Sequence, residues 1–469
     1  MKKIISIIFA AAILIFVYTG CQDRTDLTAP QLSKKSGSAD FTTFVTIGNS
    51  LTSGYQSGAL YQSAQVYAYG NQIAQQVGTN FAEPLISDPG TGGRMEVKSL
   101  DLAKAQINIY YNPNTGSPLN LTYALPYNNL GIPGALLYDV LNATSSTNCA
   151  SALFANKPNK LFDIILRGHG SQFAQAKALH PTFLTLWIGN NDILGYATTG
   201  GTSAYTPTDQ FAGLYSQLAD SIASLGAKVV VANIPDVTSI PFFTTVGPVI
   251  ALQLSQAGFG GIYYQNHGSI TTSQATLLDL AGGKVLITLP GMNYASLIGH
   301  PTGQFYRDNH YPILPPTVDT TQPFGLSPAN PWPDPLVLDP SEITAAKTTT
   351  ASYNGTISAL AAAKGFGLFD VNAFFNNVAR AGITENGVHF SASYVTGGLF
   401  SLDGVHPTSE GQAIIANEFI KVINSKFGAS IPLIDVSTVP NSLLLTKKFA
   451  FSDYLIPNFA PGSFDHLLF

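Results

Sequence analysis

The chain has 469 residues, of which 45% are apolar and only 10% charged, against about a quarter charged in an ordinary soluble domain. That apolar share fills a large core and excludes a disordered chain, and the length exceeds a typical single domain. The 22 basic and 27 acidic side chains form no basic patch, which argues against nucleic acid as a partner, since phosphate binding draws on clustered Lys and Arg.

At the N-terminus, Lys2 and Lys3 precede an apolar run from Ile4 to Val17, so residues 1–20 read as a secretory signal peptide. The run is too short to span a bilayer comfortably. It ends at Tyr18-Thr19-Gly20-Cys21, which resembles a bacterial lipobox, with Tyr18 in place of the usual aliphatic residue. The resemblance implies cleavage before Cys21, lipidation of Cys21 and a membrane-anchored lipoprotein exported to a bacterial cell envelope, at the outer membrane or cell surface rather than the inner membrane. Residues 21–40 are polar and small, the composition of a flexible tether. With Cys21 lipidated, Cys149 has no partner for an intramolecular disulfide.

From residue 41 the body reads as strands alternating with helices, the pattern of a parallel sheet covered on both faces. A strand at Phe44 to Ile47 breaks into Gly48-Asn49-Ser50, which either forms a simple turn or presents the Ser50 hydroxyl at the ligand-binding edge of the sheet. Residues 56–128, rich in Tyr, Gln and Gly, read as an insertion. The segment Asn129-Leu130-Gly131-Ile132-Pro133-Gly134 carries a glycine turn, with a further strand near Gly131. Thr182 to Ile188 is a second strong strand ending in Gly189-Asn190-Asn191-Asp192. There an Asn amide or backbone N–H groups suit a developing oxyanion, and the same residues suit a helix cap. A helix at Thr208 to Leu225 and a strand at Lys228 to Ile234 follow, then a second insertion over residues 239–340 rich in Pro and aromatic residues. Long irregular tracts of this kind either wall a cleft or decorate the body. A helix at Ser341 to Lys364 and a strand at Gly365 to Phe369 complete the alternation.

Downstream, Asp403-Gly404-Val405-His406 sets a carboxylate and an imidazole in one short loop before a helix at Thr408 to Lys426. A serine hydroxyl needs an imidazole to take its proton and a carboxylate to orient that imidazole. The loop could supply both, leaving the fold only the task of bringing His406 to Ser50. Residues 431–469 are apolar but broken by Pro, an extension expected to strap onto the body rather than span a membrane. His169 sits in a glycine turn and reads as structural, while His180, His300 and His310 receive no role. No spacing of His, Cys or carboxylates suggests a metal, and no glycine loop suggests a phosphate cofactor.

In their joint order these blocks resemble the SGNH hydrolases, also called GDSL esterases and lipases. The resemblance implies a three-layer α/β/α flavodoxin-like core over residues 41–430, with the two tracts as large insertions. It implies Ser50 as nucleophile, Asp403 and His406 as its partners, and an oxyanion hole of Asn191, Gly134 and the Ser50 N–H, with Gly131 as the fallback for Gly134. Asn49 stands where the family's Asp usually sits, so a hydrogen bond steadying the Ser50 turn could differ. The expected activity is hydrolysis of carboxylic esters without a cofactor. A carbohydrate acetylesterase and a non-catalytic binding lipoprotein on the same fold are the alternatives.

Overall fold

The computed structural model describes residues 36–101, 104–124, 126–266, 272–440, 455–461, 463–465 and 467. The expected signal peptide, Cys21 and the tether as far as residue 35 lie outside the described residues.

Five strands build the central sheet: β1 (Phe44–Gly48), β2 (Asn129–Gly131), β3 (Phe183–Trp187), β4 (Lys228–Ala232) and β5 (Gly367–Phe369). They lie in the order β2-β1-β3-β4-β5 and every pairing is parallel. The sequence explains this directly. β1 and β3 are buried at every residue, so an unbroken apolar run, not an alternating one, marks a strand covered on both faces. The two threonines in those runs are satisfied: Thr185 pairs its hydroxyl with that of Tyr69 (3.1 Å), and Thr46 donates to Asn129 (3.3 Å).

Helices cover both faces. On one, α1 (Tyr69–Val77) packs with α5 (Ser409–Phe427), and Tyr69 stacks on Phe419 at 4.7 Å between ring centres. On the other, α2 (Gln172–Ala178), α3 (Thr208–Ala223) and α4 (Pro340–Lys364) cover the sheet, with Phe211 stacked on Tyr353 at 3.8 Å. The result is the expected three-layer core in the flavodoxin-like strand order, whose direction of winding reverses between β1 and β3. Open α/β sheets bind ligands at the carboxyl ends of the strands beside that reversal.

Two boundaries differ from those read in the sequence. The tract 56–128 is not all insertion, because it contains α1, a core helix. Its sequence, Tyr-Gly-Asn-Gln-Ile-Ala-Gln-Gln-Val, packs Tyr69, Ile73, Ala74 and Val77 on the core while its four amides make the segment polar on average. The added part is an antiparallel pair, Arg94–Asp101 with Gln106–Asn112, which Ile456–Phe459 extends in parallel. At the other boundary, the tether stops short of Asp40. Ser38 bonds through its N–H to the Phe427 carbonyl at the end of α5 (2.8 Å), and Gly37, at φ +59°, has no room for a Cβ against the same carbonyl. The tract 239–340 is compact rather than loose, burying Trp332, Tyr264 and Phe324 in continuity with the main core. After α5 the chain is clamped by two amides. Asn424 exchanges hydrogen bonds with the Ile431 backbone and Asn417 with that of Ile434. Among the described residues no helix is long and apolar enough to cross a membrane.

Candidate active site

Ser50 opens the one-turn helix Ser50–Ser53 directly after β1. The strand must end in glycine here, because a Cβ on Gly48 would overlap the Thr52 hydroxyl and come within 2.5 Å of the Trp187 carbonyl. Asn49 caps the turn, its Oδ1 accepting the Leu51 N–H at 3.1 Å. A carboxylate would make the same bond, so the departure at this position preserves the cap and leaves the Asn49 amide nitrogen without a partner among the described residues.

The Asp403–His406 loop closes on itself. Asp403 Oδ1 accepts the N–H groups of Val405 (2.9 Å) and His406 (2.8 Å), and Oδ2 accepts His406 Nδ1 at 3.0 Å. Ser401 N–H bonds to the His406 carbonyl (2.8 Å), and Gly404 turns the chain at φ +69°, a conformation that favours glycine. Asp403 is wholly buried and His406 is 1% exposed. Burial alone would push the Asp403 carboxyl up, but the neighbouring His406 and the donors around it prevail and hold it below the ordinary value. An ionised Asp403 fixes the proton on Nδ1 of His406 and leaves Nε2 as the acceptor.

A fourth donor to Asp403 comes from a segment the sequence reading passed over. Gly58 N–H reaches Oδ2 at 3.0 Å, and Ser57 N–H bonds to the Ser401 hydroxyl at 3.0 Å. Gln56 and Ala59 exchange backbone hydrogen bonds around Ser57 (φ +53°) and Gly58 (φ +82°), which makes a two-residue type I′ turn. Tyr55 locks it by donating its hydroxyl to the Gly58 carbonyl at 2.6 Å, and its ring lies 4.9 Å from that of His406. The Ser-Gly dipeptide was the available signal.

On the β3 side, Asn191 begins the helix Asn191–Thr198. Its amide donates one hydrogen to the Ala135 carbonyl at 2.9 Å, which leaves the second hydrogen free to serve a ligand. Asp192 beside it accepts Leu137 N–H (2.9 Å) and the Thr206 hydroxyl (2.7 Å), yet burial still pushes its carboxyl up to about 7. Gly134 stands at φ +78° in the turn from Ile132 to Ala135, with Pro133 ahead of it. These residues and that angle fit a type II turn.

Ser50, Asn191 and His406 line one cavity of about 40 Å³ at the winding reversal, together with Asn49 and Asn190 and an apolar wall that includes Leu194, Val237, Ile240, Phe375 and Phe400. Asp403 lies behind His406. Gly134 does not line this cavity; it belongs to the turn that Asn191 ties down. Gly131 spends its N–H on Asn129 Oδ1 at 3.0 Å, so it makes a poor substitute donor. Among the described residues of the two long tracts, only Ile240 lines the cavity. His169 is exposed in its turn.

Among solved structures, the chain is similar to an acetylxylan esterase from Geobacillus stearothermophilus, Axe2, at 11% identity and a TM-score of 0.32, over 81% of this chain and 93% of that one. It is similar at the same identity to LAE5, an α/β hydrolase enzyme from the metagenome of Lake Arreo, with a TM-score of 0.33 over 81% and 94%. A phospholipase A1 from Streptomyces albidoflavus matches at 14% identity and a TM-score of 0.27, over 82% and 98%. No curated protein matches the chain. The GDSL-like lipase/acylhydrolase family model matches residues 44–280, half of the chain and the half that carries Ser50, Gly134 and Asn191. The chain therefore belongs to the GDSL-like lipase/acylhydrolase family and is a carboxylic ester hydrolase.

Proposed function

We propose that the protein is a serine esterase acting on esters of short acyl groups through an acyl-enzyme intermediate. The observation that carries this reading is the meeting of Ser50 and His406 in one small cavity, with Asp403 saturated by donors behind the imidazole. Ser50 Oγ attacks the ester carbonyl carbon while its proton passes to His406 Nε2. The negative charge moves to the carbonyl oxygen, where the Ser50 N–H and the free Asn191 amide hydrogen are the donors, Gly134 acting through the turn that Asn191 ties down. The tetrahedral intermediate collapses by breaking the bond to the alcohol oxygen, which leaves with the proton from His406. Water then repeats the sequence, His406 taking its proton, and releases the acid.

The cavity size favours short acyl groups. About 40 Å³ holds roughly three water-sized groups, enough for an acetyl or propionyl chain, whereas a fatty acyl tail would have to run out of the cavity. That supports an acetylesterase over a long-chain lipase. With p-nitrophenyl esters of increasing acyl length, kcat/KM is expected to peak at two or three carbons; a peak at eight or more overturns the short-chain assignment. Ser50→Ala is expected to abolish both turnover and labelling by a fluorophosphonate probe. Turnover surviving in that variant would remove Ser50 from the mechanism, and an unlabelled wild-type protein would favour a binding lipoprotein on this fold.

The reading extends to location. Lys2 and Lys3, the short apolar run and Cys21 support an exported enzyme held at the bacterial envelope by a lipid on Cys21. Metabolic labelling with a fatty-acid analogue is expected to mark the wild type and to fail in Cys21→Ala.

A further inference from the structure

One buried polar side chain at the cavity has no task in the mechanism above. Asn190 is 4% exposed and lines the cavity. Neither its Oδ1 nor its Nδ2 has a hydrogen-bond partner among the described residues. An amide buried without a partner costs about 1–3 kcal/mol for each unmet group, and such groups call for an explanation. Conformational slack does not provide one. Gly189 sits at φ +109° against Phe211 and Ile234, and the Asn190 carbonyl is held by Leu194 N–H at 2.9 Å. The backbone thus fixes a donor and an acceptor, side by side, at the edge of a wall built from Leu194, Val237, Ile240, Phe375 and Phe400.

We propose that Asn190 is a specificity-determining residue, whose amide recognises a hydroxyl group next to the scissile ester. The inference rests on the ester-hydrolase reading above. A hydroxyl both donates and accepts, and so satisfies Oδ1 and Nδ2 together where an alkyl group satisfies neither. Asn190 and Ser50 line the same small cavity, which places the hydroxyl a few heavy atoms from the carbonyl carbon. Two kinds of ester present it there: a 2-hydroxyacyl ester, and the acetate of a polyol or sugar with a vicinal hydroxyl.

The experiment compares kcat/KM within two pairs of substrates, methyl glycolate against methyl propionate and glycerol monoacetate against propyl acetate, for the wild type and Asn190→Leu. Leucine matches the amide in shape and removes the unmet polar atoms. The ratio within a pair cancels changes common to both members. One hydrogen bond to a neutral group is worth about a factor of five and the hydroxyl makes two, so the variant is expected to lower the hydroxylated-to-plain ratio tenfold or more in one pair. The pair that responds identifies whether acyl group or alcohol carries the hydroxyl. Equal losses on both members of each pair, or ratios that do not change, overturn the proposal. Asn190→Ala serves as the second variant and must shift the same ratio. Labelling of Ser50 by a fluorophosphonate in each preparation separates the two failures: a labelled enzyme with unchanged ratios defeats only the role of Asn190, whereas an unlabelled wild type defeats the esterase reading beneath it.

Discussion

The loop carrying Asp403 and the turn carrying Asn190 both bury polar groups at the same edge of the sheet, and they satisfy them in opposite ways. Asp403 meets four donors, three from its own loop and one from Gly58. Its charge is stable despite complete burial. Around β3, Asn190 has both side-chain atoms unmet, and Asp192, with two acceptor bonds, still has its carboxyl pushed up to about 7 by burial. A saturated cluster fixes one geometry and one charge state, which suits a group that orients a base. An unsaturated cluster keeps hydrogen-bonding capacity in reserve, which suits a surface that meets substrate. The cost of the second arrangement is borne by the folded state.

The most severe way to break the saturated side is Asp403→Asn. The amide retains one oxygen for the Val405 and His406 N–H groups but turns its NH₂ toward Gly58 and His406 Nδ1, two donors. The imidazole is then driven to the wrong tautomer, and kcat is expected to fall about 10⁴-fold with little change in KM. A drop of only a few fold would mean that Ser50 and His406 act as a pair. Tyr55→Phe tests the same cluster from a distance. It removes the bond from the Tyr55 hydroxyl to the Gly58 carbonyl, loosening the turn that presents Gly58 N–H to Asp403. The loss of one such bond, about 1 kcal/mol, predicts a reduction in kcat of about fivefold, and an unchanged kcat would make the turn a bystander. By comparison, Asn190→Leu disturbs the unsaturated side and is expected to move substrate preference instead of the chemical step.

How much of this was legible in the sequence follows from how local each feature is. β1 and β3 could be read because strands buried on both faces are unbroken apolar runs. The three-residue β2 has no period to read and was locatable only near Gly131. The helix α1 was read into an insertion because four amides make its nine residues polar on average, although Tyr69, Ile73 and Val77 recur every four residues on its packed side. The Asp403–His406 contact spans three residues and can be inferred from spacing. The Gly58–Asp403 bond spans 345, so its Ser-Gly turn was visible while its purpose was not. The unmet state of Asn190 is a property of what surrounds it in space. In sequence it is one of two adjacent asparagines, and the second drew the attention.

The smallest effect on turnover is expected where an unsaturated acid lies beneath the nucleophile turn. Glu83 is buried, accepts Asn129 Nδ2 at 3.0 Å, and through that amide touches the Thr52 carbonyl at the end of the Ser50 helix. Burial pushes its carboxyl up from 4.5 to about 8, with the Asn129 bond opposing only in part. Between those two values the folded chain keeps a proton that the unfolded chain releases, so stability must fall as pH rises through that window. The contribution is complete below about pH 4.5 and is lost by about pH 8. Asp139 and Asp192, pushed up by burial to about 6 and about 7, and Glu342, to about 8, act with the same sign. Asp403 has the opposite sign, because its lowered carboxyl contributes stability that is lost in acid. Glu83→Gln keeps an oxygen for Asn129 and cannot ionise. It is expected to leave kcat within about twofold and to flatten the decline of melting temperature between pH 5 and pH 9. If the variant and the wild type decline in parallel, Glu83 is ionised in the folded protein, and a donor beyond Asn129 must satisfy it as completely as Gly58 and its neighbours satisfy Asp403.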